Sequence, residues 1–452
     1  MTGPVRITPI GGLGEVGRNM MVLEQGDQRV VIDCGIGFPH GADRGLGVDV
    51  YLPDIRVLRG QPIDAILLTH AHDDHVAALA HLIRSGTPIG RIISLPFTIA
   101  LVEAKLAEHE LPLPPLVRVL PGEIVEIGAM TAEFIRVSHS IPDPAAIALQ
   151  TAAGTIVLTG DYKLDATGQD LRRQVDRARL TALGDAGVLA MLGDSTNAQL
   201  PGRTPSEATT IEPINDVIDE AVGRVILTSF SSQIDRIDHA IRAADRTGRQ
   251  TMLLGRSMRR NVKIAEQLKE IVPPNLPTLG RRDLDGKGKA MIICTGSQAE
   301  EFAVLARAAR GEHPELNPGP GDTLIFASRP VPGNEGPVEE MQEMMRMRGV
   351  RVVTHHEAAI HVSGHARADE ISEMVRMLRP QCLIPVHGEP QMLAAHAELA
   401  IANGLLAKNI HVGANGDVIE IDQSGLRLVD QVEAIAVPAG SDGLPLEAGE
   451  PG

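Results

Sequence analysis

The chain has 452 residues, of which 43% are apolar and 2% aromatic, with no Trp and a formal charge of −16. That length suggests two or three domains with sizeable cores. The acidic balance excludes a surface coated in a nucleic-acid-binding field, and the scarcity of aromatics excludes extensive base-stacking platforms. A local basic groove, or a bound metal that reverses the local sign, stays open. Cys34, Cys294 and Cys382 lie far apart and form no CxxC pair, which suits a reducing compartment. With no signal-peptide pattern at the start and no apolar run of membrane-spanning length, the expectation is a soluble cytoplasmic protein.

The first third alternates short strand-like runs with turns: "VRITPIG", "NMMVLEQGDQRVVIDCG", "DAILLTH" and "RIISL". "GGLGEVG" carries Gly12-x-Gly14-x-x-Gly17, with Asp33 where a ribose-binding acid would stand. A dinucleotide site needs a helix next, whereas "NMMVLEQGDQRVVID" alternates and turns at Gly26-Asp27 like a hairpin. "FTIALVEAKLAEHEL" has helical periodicity, and strands follow at "TAEFIRVSHS", "IALQTAAGTIVLTGD" and "GVLAMLGDST". From about residue 206 to 355 come βα units, "RVILTSF" with "IDRIDHAIRAADRTG", "QTMLLGR" with "NVKIAEQLKEIV", and "AMIICTG" with "QAEEFAVLARAARG". They read as an inserted domain with a mostly parallel sheet. Helix–strand–helix resumes through "QCLIPVHGE", "HVGANGDVIEID" resembles a hairpin, and residues 433–452 read as a loose tail.

"LLTHAHDDHVAAL" runs from an apolar strand into three histidines and two aspartates. His70 and His72, two apart on extended chain, point to one side; Asp74 and His75 stand where a helix begins. Imidazole nitrogen and carboxylate oxygen suit Zn²⁺ and other divalent transition metals. A capped helix start explains one aspartate but not three histidines. His139, Asp161 and His387 each end a strand-like run. Any one of them alone is more often structural, but together with residues 70–75 they make two ligand sets with a shared carboxylate.

HxHxDH followed by distant His, Asp and His resembles the metallo-β-lactamase fold. The inserted domain with "GDSTNA", "HVSGHA" and "PVHGE" resembles its β-CASP nucleic-acid-processing branch. "GGLGEVGRNM", "HSIPD", "TGDYKLD", "DSTNA", "GRSM", "TGSQ", "PGNE" and "HVSGH" are similar to the bacterial ribonuclease J family, over about residues 5–432. The resemblance implies an αββα sandwich (1–205 and 356–432) interrupted by a β-CASP α/β domain (206–355). It implies one Zn²⁺ on His70, His72 and His139, another on Asp74, His75 and His387, Asp161 bridging, and Mn²⁺ as the alternative metal. Asp33 would orient a ligand histidine, and Asp194 and His365 would join Asp74 and Asp161 in catalysis, with His365 assisting the leaving oxygen.

The same resemblance implies 5′-to-3′ exonuclease and endonuclease action on RNA, single-stranded with a 5′-monophosphate. Ser232, Arg236, Ser363 and Gly364 align with its phosphate-contacting segments, although Arg236 read alone is equally a solvated helix arginine, and His361 suits packing and phosphate contact equally. Arg256, Arg259, Arg260 and Lys263 suit either a cationic path or a solvent-facing helix. Family members usually carry Gly-Gly where this chain has Ala77-Ala78, His in place of Asp235 and a small hydroxyl residue in place of Arg329. They also continue into a further C-terminal domain, so a homodimer is a weaker expectation here. The rival readings are a hydrolase of another phosphodiester or small ester, and a non-catalytic RNA-binding partner of a nuclease.

Overall fold

The computed structural model describes residues 3–39, 43, 47–165, 173–274, 289–331, 333–440 and 442–446. The chain divides into two compact units, one of Met1–His139, Asp143–Thr204 and Gly364–Gly452, the other of Ser140–Pro142 and Pro205–Ser363.

In the first unit an eight-stranded and a six-stranded sheet face each other. Side-chain alternation sorts three cores. Val30, Ile32, Ala65 and Leu67 point inward with Phe134, Ile156, Leu158, Leu192 and Ile384 to fill the space between sheets. Val31 and Ile66 point the other way, against Leu79, Leu82, Ile99 and Val102 of the flanking helices. Val157, Met191 and Leu383 likewise meet Leu180, Ile371 and Met374 behind the second sheet. This is the αββα sandwich of the metallo-β-lactamase fold.

The second unit holds an all-parallel sheet in the order Gln250–Leu254, Ala290–Cys294, Val225–Thr228, Thr323–Phe326, Arg351–Val353. Its central strands are buried along their whole length, as "AMIIC" and "TLIF" require when helices cover both faces. The helix after "AMIICTG" is shorter than its periodicity suggests, covering only Val304–Ala309.

The glycine-rich stretch leads into strand Met20–Gln25, paired antiparallel with Gln28–Ile32; no dinucleotide-binding helix follows. The hairpin expected in "HVGANGDVIEID" sits further on, pairing Asp417–Asp422 with Gly425–Gln431. The loose-tail expectation for residues 433–452 is corrected for part of that span: Val437–Ala439 pairs antiparallel with Val50–Leu52, and Ala439 is buried among apolar neighbours, while residues 441 and 447–452 lie outside the described residues. Apolar contact and backbone pairing outweigh the Gly/Pro-rich composition there. Among the described residues no helix is long and apolar enough to cross a membrane.

Candidate metal centre

The charged residues of the first unit gather where strands stop. Asp33 follows Gln28–Ile32, His70 follows Ala65–Leu67, and His139 follows Met130–Arg136. Asp161 follows Thr155–Leu158, Asp194 ends Val188–Asp194, and His387 follows Cys382–Val386. Parallel pairing sets Asp194 opposite Val386, so the last strand delivers His387 beside it. His72 caps the one-turn helix Asp73–Val76 in extended conformation. The carbonyls of Asp73, Asp74 and His75 accept from the backbone N–H groups of Ile36, Asn19 and Cys34, which pins that turn. Gly35 must lack a side chain, since a Cβ there would stand 1.7 Å from the Asp74 carbonyl oxygen. The glycine-rich loop has its use here as well: His387 N–H donates to the Gly12 carbonyl at 2.7 Å, with Gly12 at φ +89°.

Two donor sets result, {His70, His72, His139, Asp161} and {Asp74, His75, Asp161, His387}, with the donor atoms of each set within 4.8 Å of one another. In the first, His72 Nδ1 lies 3.1 Å from both His70 Nε2 and His139 Nε2, and Asp161 Oδ2 is 3.7 Å from each of those two nitrogens. In the second, His75 Nε2 is 3.3 Å from Asp161 Oδ2 and 3.6 Å from Asp74 Oδ2, which is 3.3 Å from His387 Nε2. Tetrahedral ligands about 2.0–2.1 Å from a zinc ion would stand about 3.3 Å apart.

The two 3.1 Å nitrogen contacts of His72 Nδ1 are not both hydrogen bonds. His139 Nδ1 faces the Gly364 carbonyl at 2.8 Å and so carries the proton, leaving a lone pair on Nε2. The single proton available to His72 Nδ1 can satisfy only one of its two nitrogen neighbours. Converging lone pairs of this kind fit a cation, and the residues present therefore suit a metal.

Burial holds the His70 and His139 imidazoles below their usual range and His72 down at about 4, which keeps them neutral as ligation requires. Burial works against charge on His75 and His387 too, but the facing carboxylates, Asp161 foremost, outweigh it and raise both. Asp161 is lowered despite burial, chiefly by His387 and His75.

Around the donors stand groups that aim them. Asp33 Oδ2 accepts from His75 Nδ1 at 2.8 Å while its two oxygens also take Thr69 N–H and the Thr69 hydroxyl, each at 2.8 Å. Asp194 Oδ2 accepts from His365 Nδ1 at 2.9 Å, and its Oδ1 takes the Thr196 N–H and hydroxyl. Asp161, Asp194, His365 and His387 form a third convergent group. Thr69, Thr196 and Asn19, whose amide lies 3.0 Å from His75 Nε2, gave no signal in the sequence because neutral residues carry no ligand signature, and Gly364, expected only at the phosphate, also holds His139 through its carbonyl. His396, buried against the Ser195 hydroxyl, escaped as well.

In the second unit Ser232, His361 and Ser363 are half-buried, and Gly364, in the first unit, is buried. Arg236 departs from its expectation. Its guanidinium is fully buried and tied to Glu207, so it is neither a solvated helix arginine nor displayed for an RNA phosphate. Arg256, Arg259 and Lys263 are exposed along helix Arg256–Gln267, while Ala77 and Ala78 pack without strain beside the metal-binding turn.

Comparisons with known proteins agree with this architecture. Residues 13–189 match the metallo-beta-lactamase superfamily, 222–345 the ribonuclease J beta-CASP domain, and 349–412 a Zn-dependent metallo-hydrolase RNA specificity domain. The chain is 38% identical to ribonuclease J of Mycobacterium tuberculosis over 93% of its own length and 75% of that protein. It is 39% identical to the Mycolicibacterium smegmatis protein with the same coverage, and 37% identical to that of Synechocystis over 95% of this chain and 68% of the relative. A crystal structure of a protein of unknown function from Enterococcus faecalis shares the fold, with a TM-score of 0.62 at 14% identity over 92% of this chain and 100% of the other. Its fold, its His/Asp clusters and these relatives place the chain in the ribonuclease J family of metal-dependent ribonucleases.

Proposed function

We propose that the chain hydrolyses RNA phosphodiesters, from the 5′ end and internally, leaving 5′-phosphate and 3′-hydroxyl products. The observation that carries this reading is the convergence of His70, His72 and His139 on one side of Asp161, and of Asp74, His75 and His387 on the other. When bound, two divalent cations supply Lewis acidity at the phosphodiester and make water nucleophilic near neutral pH. The imidazole-rich donor set favours zinc, with manganese the alternative. Asp161 serves both donor sets, and Asp33 holds the His75 tautomer with Nε2 directed at the centre. His365 is raised although burial opposes it, because Asp194 and Asp161 face it. It therefore holds a proton to give the departing 3′ oxygen, and Asp194 fixes the ring through Nδ1.

Selection of a 5′-monophosphate falls to the hydroxyl, imidazole and backbone donors of Ser232, His361, Ser363 and Gly364, groups suited to phosphate oxygens. The reading places the enzyme in cytoplasmic RNA processing and decay, as a monomer or a homodimer. Incubating 5′-monophosphorylated and 5′-hydroxyl RNA with the wild type, His72→Ala and Asp161→Ala, with and without chelator, tests it. Shortening that prefers the monophosphate and vanishes with chelator or either substitution is expected. RNA binding without cleavage under any metal would overturn it. Metal analysis of protein purified without added ions decides between zinc and manganese.

A further inference from the structure

Arg236 lies in the first turn of helix Ile234–Arg246, yet it is among the largest fully buried side chains of the protein. A guanidinium taken out of water must be matched donor by donor. Here Nε and Nη2 form a fork on the Glu207 carboxylate, both at 2.8 Å, from the turn Glu207–Thr210. Nη1 donates to the Ala327 carbonyl at 2.6 Å, at the end of strand Thr323–Phe326, and to His361 Nδ1 at 3.1 Å. An arginine N–H never accepts, so His361 Nδ1 is the acceptor and the imidazole proton sits on Nε2. One side chain thus joins three segments and fixes one tautomer.

We infer that Arg236 is a positioning residue that acts through His361: the Glu207–Arg236 pair holds the imidazole so that Nε2–H is the donor offered to the RNA 5′-phosphate. The inference rests on the monophosphate-dependent ribonuclease reading above. It assigns Glu207 a part in end recognition and gives Arg236 no contact with RNA, its charge being met by Glu207. Lysine cannot reproduce the fork, and Glu207→Gln weakens it while keeping its shape.

The test is a double-mutant cycle on the full chain, loaded with metal. It compares kcat and KM on 5′-monophosphorylated and 5′-hydroxyl RNA for wild type, Arg236→Lys, Glu207→Gln, His361→Ala and Arg236→Lys/His361→Ala. Arg236→Lys should reduce the monophosphate preference about tenfold, through KM, as loss of one charge-assisted hydrogen bond would. Glu207→Gln should move the same ratio in the same direction, and keeps the question open to measurement if the lysine variant fails to fold. In the His361→Ala background, Arg236→Lys should change the ratio less than twofold. An equal loss in both backgrounds would mean that Arg236 touches the phosphate itself and would overturn the inference. So would a fall shared by both RNA ends, or a preference that survives His361→Ala. A wild type that cleaves no RNA would instead sink the parent reading.

Discussion

Replacing Asp33 with Asn changes one oxygen to an NH2 and leaves shape almost untouched. In the structure Asp33 Oδ1 accepts from Thr69 N–H, and Oδ2 accepts from both the Thr69 hydroxyl and His75 Nδ1, all at 2.8 Å. An asparagine cannot accept at both positions. Turned to keep the backbone bond, its NH2 faces the hydroxyl, which can rotate, and His75 Nδ1, which can become an acceptor only by moving its proton to Nε2. That nitrogen is the one 3.3 Å from Asp161 Oδ2, so the variant masks the donor of the second set. Groups that orient ligand histidines are worth about 10–100-fold in metal affinity, or about 1.4–2.7 kcal/mol. Competition with a metal-binding indicator should show one of two sites weakened by that factor, with the His70–His72–His139 set nearly unchanged. Affinities within twofold of wild type at both sites, or equal weakening of both, would refute the tautomer argument.

His365→Gln should lower kcat for RNA cleavage by about 10²–10⁴-fold while leaving metal content unchanged, as a lost general acid does; elemental analysis beside kinetics checks both halves. Burial pushes the His396 imidazole down to about 4. The unfolded chain therefore binds more protons between about pH 6.5 and 4, and stability falls as the pH drops through that window, by about 3 kcal/mol in all. In metal-free protein, His396→Gln should flatten this acid loss relative to wild type, measured by urea midpoints at several pH values. Phe134, fully buried between the two sheets, should cost about 3–5 kcal/mol when cut to Ala, read from the shift of the denaturant midpoint.

The sequence made some of this centre legible and hid the rest for physical reasons. His70, His72, Asp74 and His75 are neighbours in sequence, so their convergence could be read locally. His139, Asp161 and His387 lie far along the chain, so their strand-end positions suggested membership of the ligand sets, and the resemblance to a family was needed to assign which set each joins. The parallel sheet of the second unit was visible because buried strands read as unbroken apolar runs. The role of Arg236 was not visible: a first-turn helix arginine gives no sign that a carboxylate 29 residues earlier, Glu207, will draw it inside. The strand Val437–Ala439 was hidden likewise, since its partner, Val50–Leu52, lies near the other end of the chain.

The order in which the donors occur along the polypeptide has a cost in time. His387 reaches the centre only when Cys382–Val386 lines up alongside Val188–Asp194, after the whole second unit has intervened. Such late, long-range closure is slow compared with local folding. A growing polypeptide emerging from the ribosome thus lacks the His387 donor until the whole second unit has been translated. Up to that point only the set of His70, His72, His139 and Asp161 has all of its members in the nascent polypeptide.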